Sequence, residues 1–233
     1  MKKKILVVGF LFLGVFLLSF YKLNPKVFVI GDSISIFYGP YLKKCLEKDF
    51  VYDRKRDKGE AMKDLDNPIG ANGGDSNMVL AYLNELAADS SFYTDIFLIN
   101  CGLHDIKIDR KTGKRAVSLD KYRENVLAIY QCIKDMGARM IWINSTPVND
   151  TIHNSKNVGF YRYNQDVCEY NRVADSILVS KEVPIIDLYS FSLTFPLDAY
   201  MDHVHYKDEY RDRQAKFISD FLKNISKIDV CVN

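Results

Sequence analysis

The sequence predicts an α/β protein: a three-layer α/β/α domain around a five-stranded parallel sheet, in the flavodoxin-like order 2-1-3-4-5. Three observations carry this. Strand-like and helix-like stretches alternate from residue 26 to the C-terminus. Strand-like stretches such as VFVI at 27–30 and IFLI at 96–99 are apolar at every position, as in strands covered on both faces. Right-handed crossovers then leave few topologies for five such strands. A chain of 233 residues suffices for one domain of this kind.

Residues 1–23 stand apart from that domain. Lys2, Lys3 and Lys4 precede an apolar run at 5–20, the pattern of an export signal or signal anchor. The run is slightly short of the ~20 residues that span a bilayer, with Tyr21 placed to sit at the interface. No small-x-small cleavage site stands out around Leu18-Ser19-Phe20. The expectation is an exported protein, periplasmic, extracellular or held to the membrane through residues 5–21, with its folded domain at 24–233.

The first strand is read at 26–31 (KVFVIG), followed by a short helix at 38–49 and a more polar edge strand at 50–55. A loop rich in Gly, Asn and Asp covers 57–74. Met78, Leu80, Ala81, Leu83 and Leu86 recur at near-helical spacing over 75–88, with Asp75 or Ser76 available as the cap. The third strand is read at 95–102, then a polar loop to Ser118. The clearest helix spans 118–137, between Ser118 as N-cap and Gly137 as stop. A fourth strand at 139–145, a helix at 160–181, a fifth strand at 184–190 and an amphipathic helix at 208–225 complete the chain.

Several function classes fall away. A net charge of +2 without a basic, aromatic-laced run gives no case for nucleic acid. Four histidines lack metal-ligand spacing, and no P-loop or dinucleotide fingerprint occurs, so no metal, nucleotide or redox cofactor is expected. Five cysteines without a CxxC read as free thiols, Cys101 and Cys132 being placed in apolar patterns.

In an open parallel sheet, ligands bind outside the carboxyl ends of the strands. Four features fall on that rim: Ser33 after strand one, Asn72-Gly73-Gly74 closing the second loop, Gly102-Leu103-His104-Asp105 after strand three, and Asp202-His203-Val204-His205 after strand five. Singly, each reads as a turn, a loop or a surface group. Together they match acyl transfer, which needs a nucleophile, a base, a group orienting the base and donors for the oxyanion. Ser33 supplies the hydroxyl, His205 the base, Asp202 the carboxylate three residues earlier. The amides of Ser33 and Gly74, with a ring N–H from His104, are the candidate oxyanion donors. Asp32, Asn72, His203 and Tyr206 are candidate substrate-lining positions. His153, in a polar loop, has no assigned role. Phe37, Tyr38 and Tyr200 offer an aromatic floor for a sugar, but with 15 Tyr and 14 Phe in the chain core packing is the expectation.

The order and spacing of these blocks resemble the SGNH (GDSL-type) hydrolases over about residues 26–225. Gly31-Asp32-Ser33 matches the nucleophile block, Gly74 in NGGDS the second-block glycine, and Asp202-x-x-His205 the last block. The third block is usually G-x-N-D; here it reads Gly102-Leu103-His104-Asp105, similar to a subgroup with a G-L-H-D block, an N-G-G second block and a strand running into Thr146-Pro147. Neutral histidine also carries a ring N–H, so the exchange is chemically tolerable. The resemblance implies a carboxylic ester hydrolase. With the export signal, the expected function is removal of short acyl groups, acetyl first, from carbohydrate. A lysophospholipase- or thioesterase-like role, an acyltransferase, and a degenerate glycan-binding module stay open as alternatives.

Overall fold

The computed structural model describes residues 24–156 and 158–232. The residues read as signal or anchor lie outside the described residues. Among the described residues, no helix is long and apolar enough to cross a membrane.

The five-stranded parallel sheet is present. Strands β1 (Lys26–Ile30), β2 (Val51–Arg54), β3 (Ile96–Ile99), β5 (Arg139–Ile143) and β7 (Ile185–Ile186) lie in the order β2-β1-β3-β5-β7, which is 2-1-3-4-5 among the sheet strands. Register pairs Val27 with Ile96 and Ile30 with Ile99, so β1 and β3 end level with each other. Four successive residues of β1 and all four of β3 are buried, because helices cover both faces. Helix α1 (Ser33–Leu46) packs with α7 (Asp208–Val232) in one layer; α2 (Ser76–Ala88), α3 (Leu119–Asp135) and α5 (Asn164–Val179) pack in sequence as the other. Val27, Val29, Ile30, Leu98, Ile99, Ile141 and Trp142 are almost wholly withdrawn from water. Each such aliphatic side chain stabilises the fold by roughly 1.5–3 kcal/mol.

Several boundaries differ from the sequence reading. The first helix begins at Ser33, not at residue 38. Gly39-Pro40 suggests a helix start, yet Asp32 already caps the chain by accepting the Ile34 N–H at 2.9 Å. The loop before Ser118 contains a short strand, β4 (Ile108–Asp109), antiparallel to β6 (Phe160–Tyr161). That pairing removes residues 160–163 from the helix read at 160–181. The fifth strand makes two ladder pairs before Asp187 caps α6 (Leu188–Leu193). Between β5 and β6 lies the short helix α4 (Asp150–Ser155). The small β4–β6 sheet joins the loops that follow β3 and β5, at the carboxyl edge where the chemistry was expected.

The other caps agree with the reading. Asp75 accepts the Met78 N–H, Ser118 accepts the Lys121 N–H, and Gly137 takes a left-handed φ of 72° just past α3. Cys45, Cys101, Cys132 and Cys168 are free, with Cys101 buried and Cys132 only partly so.

Candidate active site

Ser33 is the first residue of α1, so its N–H has no intrahelical acceptor and lies at the positive end of the helix. The turn from β1 is tight, and glycine makes it possible. A Cβ on Gly31 would lie 2.9 Å from the Ser35 side chain, and one on Gly73 would lie 3.0 Å from the Gly31 carbonyl oxygen. The Gly73 N–H donates to that same carbonyl at 2.8 Å, locking the second loop against the turn from β1 into α1.

His205, 172 residues downstream, places Nε2 2.8 Å from Ser33 Oγ. Its Nδ1 is 2.6 Å from Asp202 Oδ2. The three-residue spacing works because Asp202 Oδ1 also accepts the N–H groups of Val204 and His205, each at 2.8 Å, closing a turn around the carboxylate. Burial opposes ionisation of Asp202. The bond from the His205 ring, its charge and the two backbone donors outweigh it and hold the carboxyl well below its ordinary value. With Nδ1–H donated to Asp202, Nε2 is left to accept the Ser33 proton. Phe37, one helical turn after Ser33, sets its ring edge-on to His205 at 5.0 Å, with the Arg211 guanidinium carbon 4.0 Å over the Phe37 ring.

Asp32 is buried, and its role here is the helix cap; burial raises its pKa, and its Oδ2 has no partner. Gly74 has a left-handed φ of 74°, and its N–H closes a turn onto Asn72 Oδ1 at 3.0 Å. That amide is therefore occupied in the resting site and has to be shared to serve an oxyanion. Asn72 is fully buried, held also by Nδ2 to the Leu65 carbonyl at 3.4 Å. His104 is buried, and its Nδ1 has no partner. Burial first, then the charges of Lys107, Arg162 and His205, push its pKa well below the ordinary value, so it is a neutral imidazole with one N–H. Asp105 holds structure together: both its oxygens accept the Ser76 N–H, at 2.9 and 3.1 Å, tying the third block to the start of α2. Burial raises its pKa to about 7.

His203 and Tyr206 are both buried. His203 Nδ1 lies 3.3 Å from Lys156 Nζ, and its ring is 4.4 Å from that of His153. His153 is buried on α4, which corrects its reading as a loop residue. Tyr206 packs on Tyr200 and Phe195, with its hydroxyl donating to Tyr200 at 3.2 Å. Tyr38 lies in the core.

A set of cations around the site had no motif to announce it. Arg162 follows β6, is 2% exposed, and donates Nε to the Leu103 carbonyl at 2.8 Å and Nη1 to Asp66 at 3.3 Å. Lys107 Nζ donates to the Asp66 carbonyl and sits 4.4 Å over the Phe160 ring. At the end of β2, Lys55 Nζ donates to the carbonyls of Gly70 and Asn72, the latter at 3.0 Å. In sequence, Arg54-Lys55-Arg56 is indistinguishable from a solvated edge strand.

No protein-family model and no curated protein sequence matches the chain; the likeness is in three dimensions. An acetyl xylan esterase structure superposes with a TM-score of 0.63 at 15% identity, covering 83% of this chain and 97% of that one. A lipase/acylhydrolase from Enterococcus faecalis gives 0.63 at 18% identity, covering 86% and 96%. A GDSL-like lipase from Bacteroides thetaiotaomicron gives 0.62 at 14%, covering 86% and 89%. The fold is thus one found in GDSL-type acylhydrolases and esterases.

Proposed function

We propose that this chain, which has the fold of GDSL-type acylhydrolases, is a serine ester hydrolase acting on short acyl esters of carbohydrate. The observation that carries the reading is the unbroken chain from Ser33 Oγ through His205 to Asp202, at 2.8 and 2.6 Å. Ser33 Oγ attacks the ester carbonyl carbon as its proton passes to His205 Nε2. The carbonyl π electrons move onto oxygen, and the oxyanion takes the Ser33 N–H, the His104 ring N–H and a shared Gly74 N–H. Collapse expels the alcohol oxygen, which takes the proton from His205, and leaves an acyl-serine. Water then adds to the acyl carbon, losing its proton to the same Nε2. The second collapse returns that proton to Ser33 and releases the acid. Asp202 stays ionised throughout and steadies the imidazolium.

The short-acyl, carbohydrate reading is supported by likeness to an acetyl xylan esterase and by the export-type N-terminus. We propose that the domain is exported and tethered through residues 5–21. Topology supports an aqueous substrate in that case. β1 starts at Lys26, and Ser33 follows its far end, roughly 17 Å away for five residues of strand. A tethered domain would then open its crevice away from the bilayer. The second reading, a lipid acylhydrolase, is favoured by likeness to a lipase/acylhydrolase. Hydrolysis of nitrophenyl esters from acetyl to decanoyl, with acetylated xylan alongside, separates them. Acetyl is expected to be fastest; a maximum at octanoyl or longer replaces the first reading with the second. A fluorophosphonate that leaves Ser33 unmodified overturns both.

A further inference from the structure

Arg54 lies on edge strand β2, outside every block that suggested chemistry, and its guanidinium bridges the start of α1 and the loop before α2, which carry the backbone oxyanion donors. Nη1 donates to the Ser35 carbonyl at 2.7 Å. Nη2 donates to Ser35 Oγ at 3.2 Å and to the Ala71 carbonyl at 3.4 Å. Ser35 is 1% exposed, and its hydroxyl donates to the Asp32 carbonyl at 2.7 Å. That carbonyl belongs to the peptide whose N–H is that of Ser33.

We infer that Arg54 and Ser35 are positioning residues for the oxyanion hole, acting as a relay on the Ser33 amide; this rests on the esterase reading above. The relay runs from guanidinium to hydroxyl to carbonyl, and the N–H at the opposite end of that peptide faces the developing negative charge. A hydrogen bond to the carbonyl of a peptide fixes its plane and draws electron density from its nitrogen, making the N–H a stronger donor. In such chains each bond strengthens the next by roughly 10–30%. The Ala71 bond extends the same hold to the strand of loop that leads into Gly74.

Two glycines make room for the relay. A Cβ on Gly31 would meet Ser35 Cβ and Oγ at 2.9 Å each. A Cβ on Gly39 would meet Arg54 Nη1 at 2.7 Å. Gly39 stands inside α1, where glycine is less favourable than alanine by roughly 0.5–1 kcal/mol. The backbone conformation there does not require it, since Gly39 is not among the residues of positive φ; a Cβ would instead displace the guanidinium and crowd the Tyr52 hydroxyl, 3.1 Å away.

The test is a double-mutant cycle of Ser35→Ala and Arg54→Met, read as kcat and KM on nitrophenyl acetate and as the affinity of an alkyl boronic acid. The boronate adds to Ser33 as a tetrahedral species with its oxygen in the oxyanion hole. Loss of a whole donor lowers turnover by ~10²–10³; a donor weakened and loosened is expected to lose about ten-fold in kcat at unchanged KM. Boronate affinity should fall by the same factor. The double variant should lose no more than the worse single one, since both break one chain. Arg54→Lys, which keeps the charge but cannot fork, should fall between wild type and Arg54→Met, and it serves if the methionine variant does not fold. Losses that multiply across the cycle, or that appear in KM or thermal stability while boronate affinity holds, overturn the relay and leave Arg54 a staple between β2 and α1. Wild-type protein that neither turns over ester nor reacts with a fluorophosphonate removes the esterase reading, and the relay with it.

Discussion

Ser33, His205 and Asp202 form one hydrogen-bonded chain, so under the proposed function the consequences of replacing them differ in kind from those at their neighbours. Ser33→Ala removes the nucleophile and should lower kcat on the order of 10⁴–10⁶-fold. Ser33 adds little to the core, so thermal unfolding should stay within a degree or two of wild type; turnover near the wild-type rate would dismiss Ser33. Asp202→Asn leaves the shape but favours the wrong imidazole tautomer, and the expected loss is about 10⁴-fold. His104 stands on a different footing. It is neutral, buried and unpartnered at Nδ1, so His104→Leu should keep the fold and KM while lowering kcat roughly 10²–10³-fold. Steady-state kinetics at several pH values distinguishes the roles. The pH profile should keep its shape in His104→Leu, because burial keeps that imidazole neutral at pH values well below its ordinary pKa. A kcat unchanged in that variant would leave the hole with backbone donors alone.

Single elements set these geometries. Helix α1 begins one residue after its cap, which aims the hydroxyl and the first free amide of the helix into the same space. The loop before α2 depends on Gly74. Its φ of 74° is left-handed, and a Cβ there would lie 2.5 Å from Met78 Sδ and 3.0 Å from Pro68 Cβ. Gly74→Ala should destabilise the protein by ~1–2 kcal/mol from the backbone alone. The thioether can swing aside and the proline cannot, so the loop should shift and kcat should fall with it. Urea unfolding and turnover on nitrophenyl acetate measure the two effects; an alanine variant matching wild type in both would show that the conformation is not needed.

At the scale of the whole molecule, the three layers trap titratable groups that link stability to pH. Asp105 is fully buried between the third block and the start of α2, and its pKa is raised from 3.8 to about 7, first by burial. Between those values the native state holds a proton that the unfolded chain has lost. Stability through this group is therefore full below about pH 4 and is lost as pH rises through about 7. Asp105→Asn should flatten the pH dependence of the urea midpoint over that window; an identical slope in the variant would assign the effect elsewhere. Lys107 runs the other way. Burial takes its pKa from 10.5 to about 8, so above about pH 8 the unfolded chain binds the extra proton and the native state gains stability up to about pH 10.5.

The residues by themselves determined the parallel sheet and its order, since runs such as VFVI and IFLI leave no face for water and alternate with helices. They also marked Ser33, His205 and Asp202, which the fold brings within hydrogen-bonding distance, because a strand-to-helix turn and a D-x-x-H turn are local geometries that short stretches encode. What escaped was whatever depends on distant segments meeting. The two-residue strands β4 and β6 have no periodicity to read and exist only through each other, and with them comes the buried Arg162. His153 passed for a loop residue because it is the packing of α4 against His203 and Phe160 that buries it. Arg54 and Lys55 looked like a solvated edge until the loop at 70–72 folded back to offer its carbonyls. Local propensity follows neighbours along the chain, whereas hydrogen bonds and burial follow neighbours in space. Only the folded chain decides which charges a backbone carbonyl will meet.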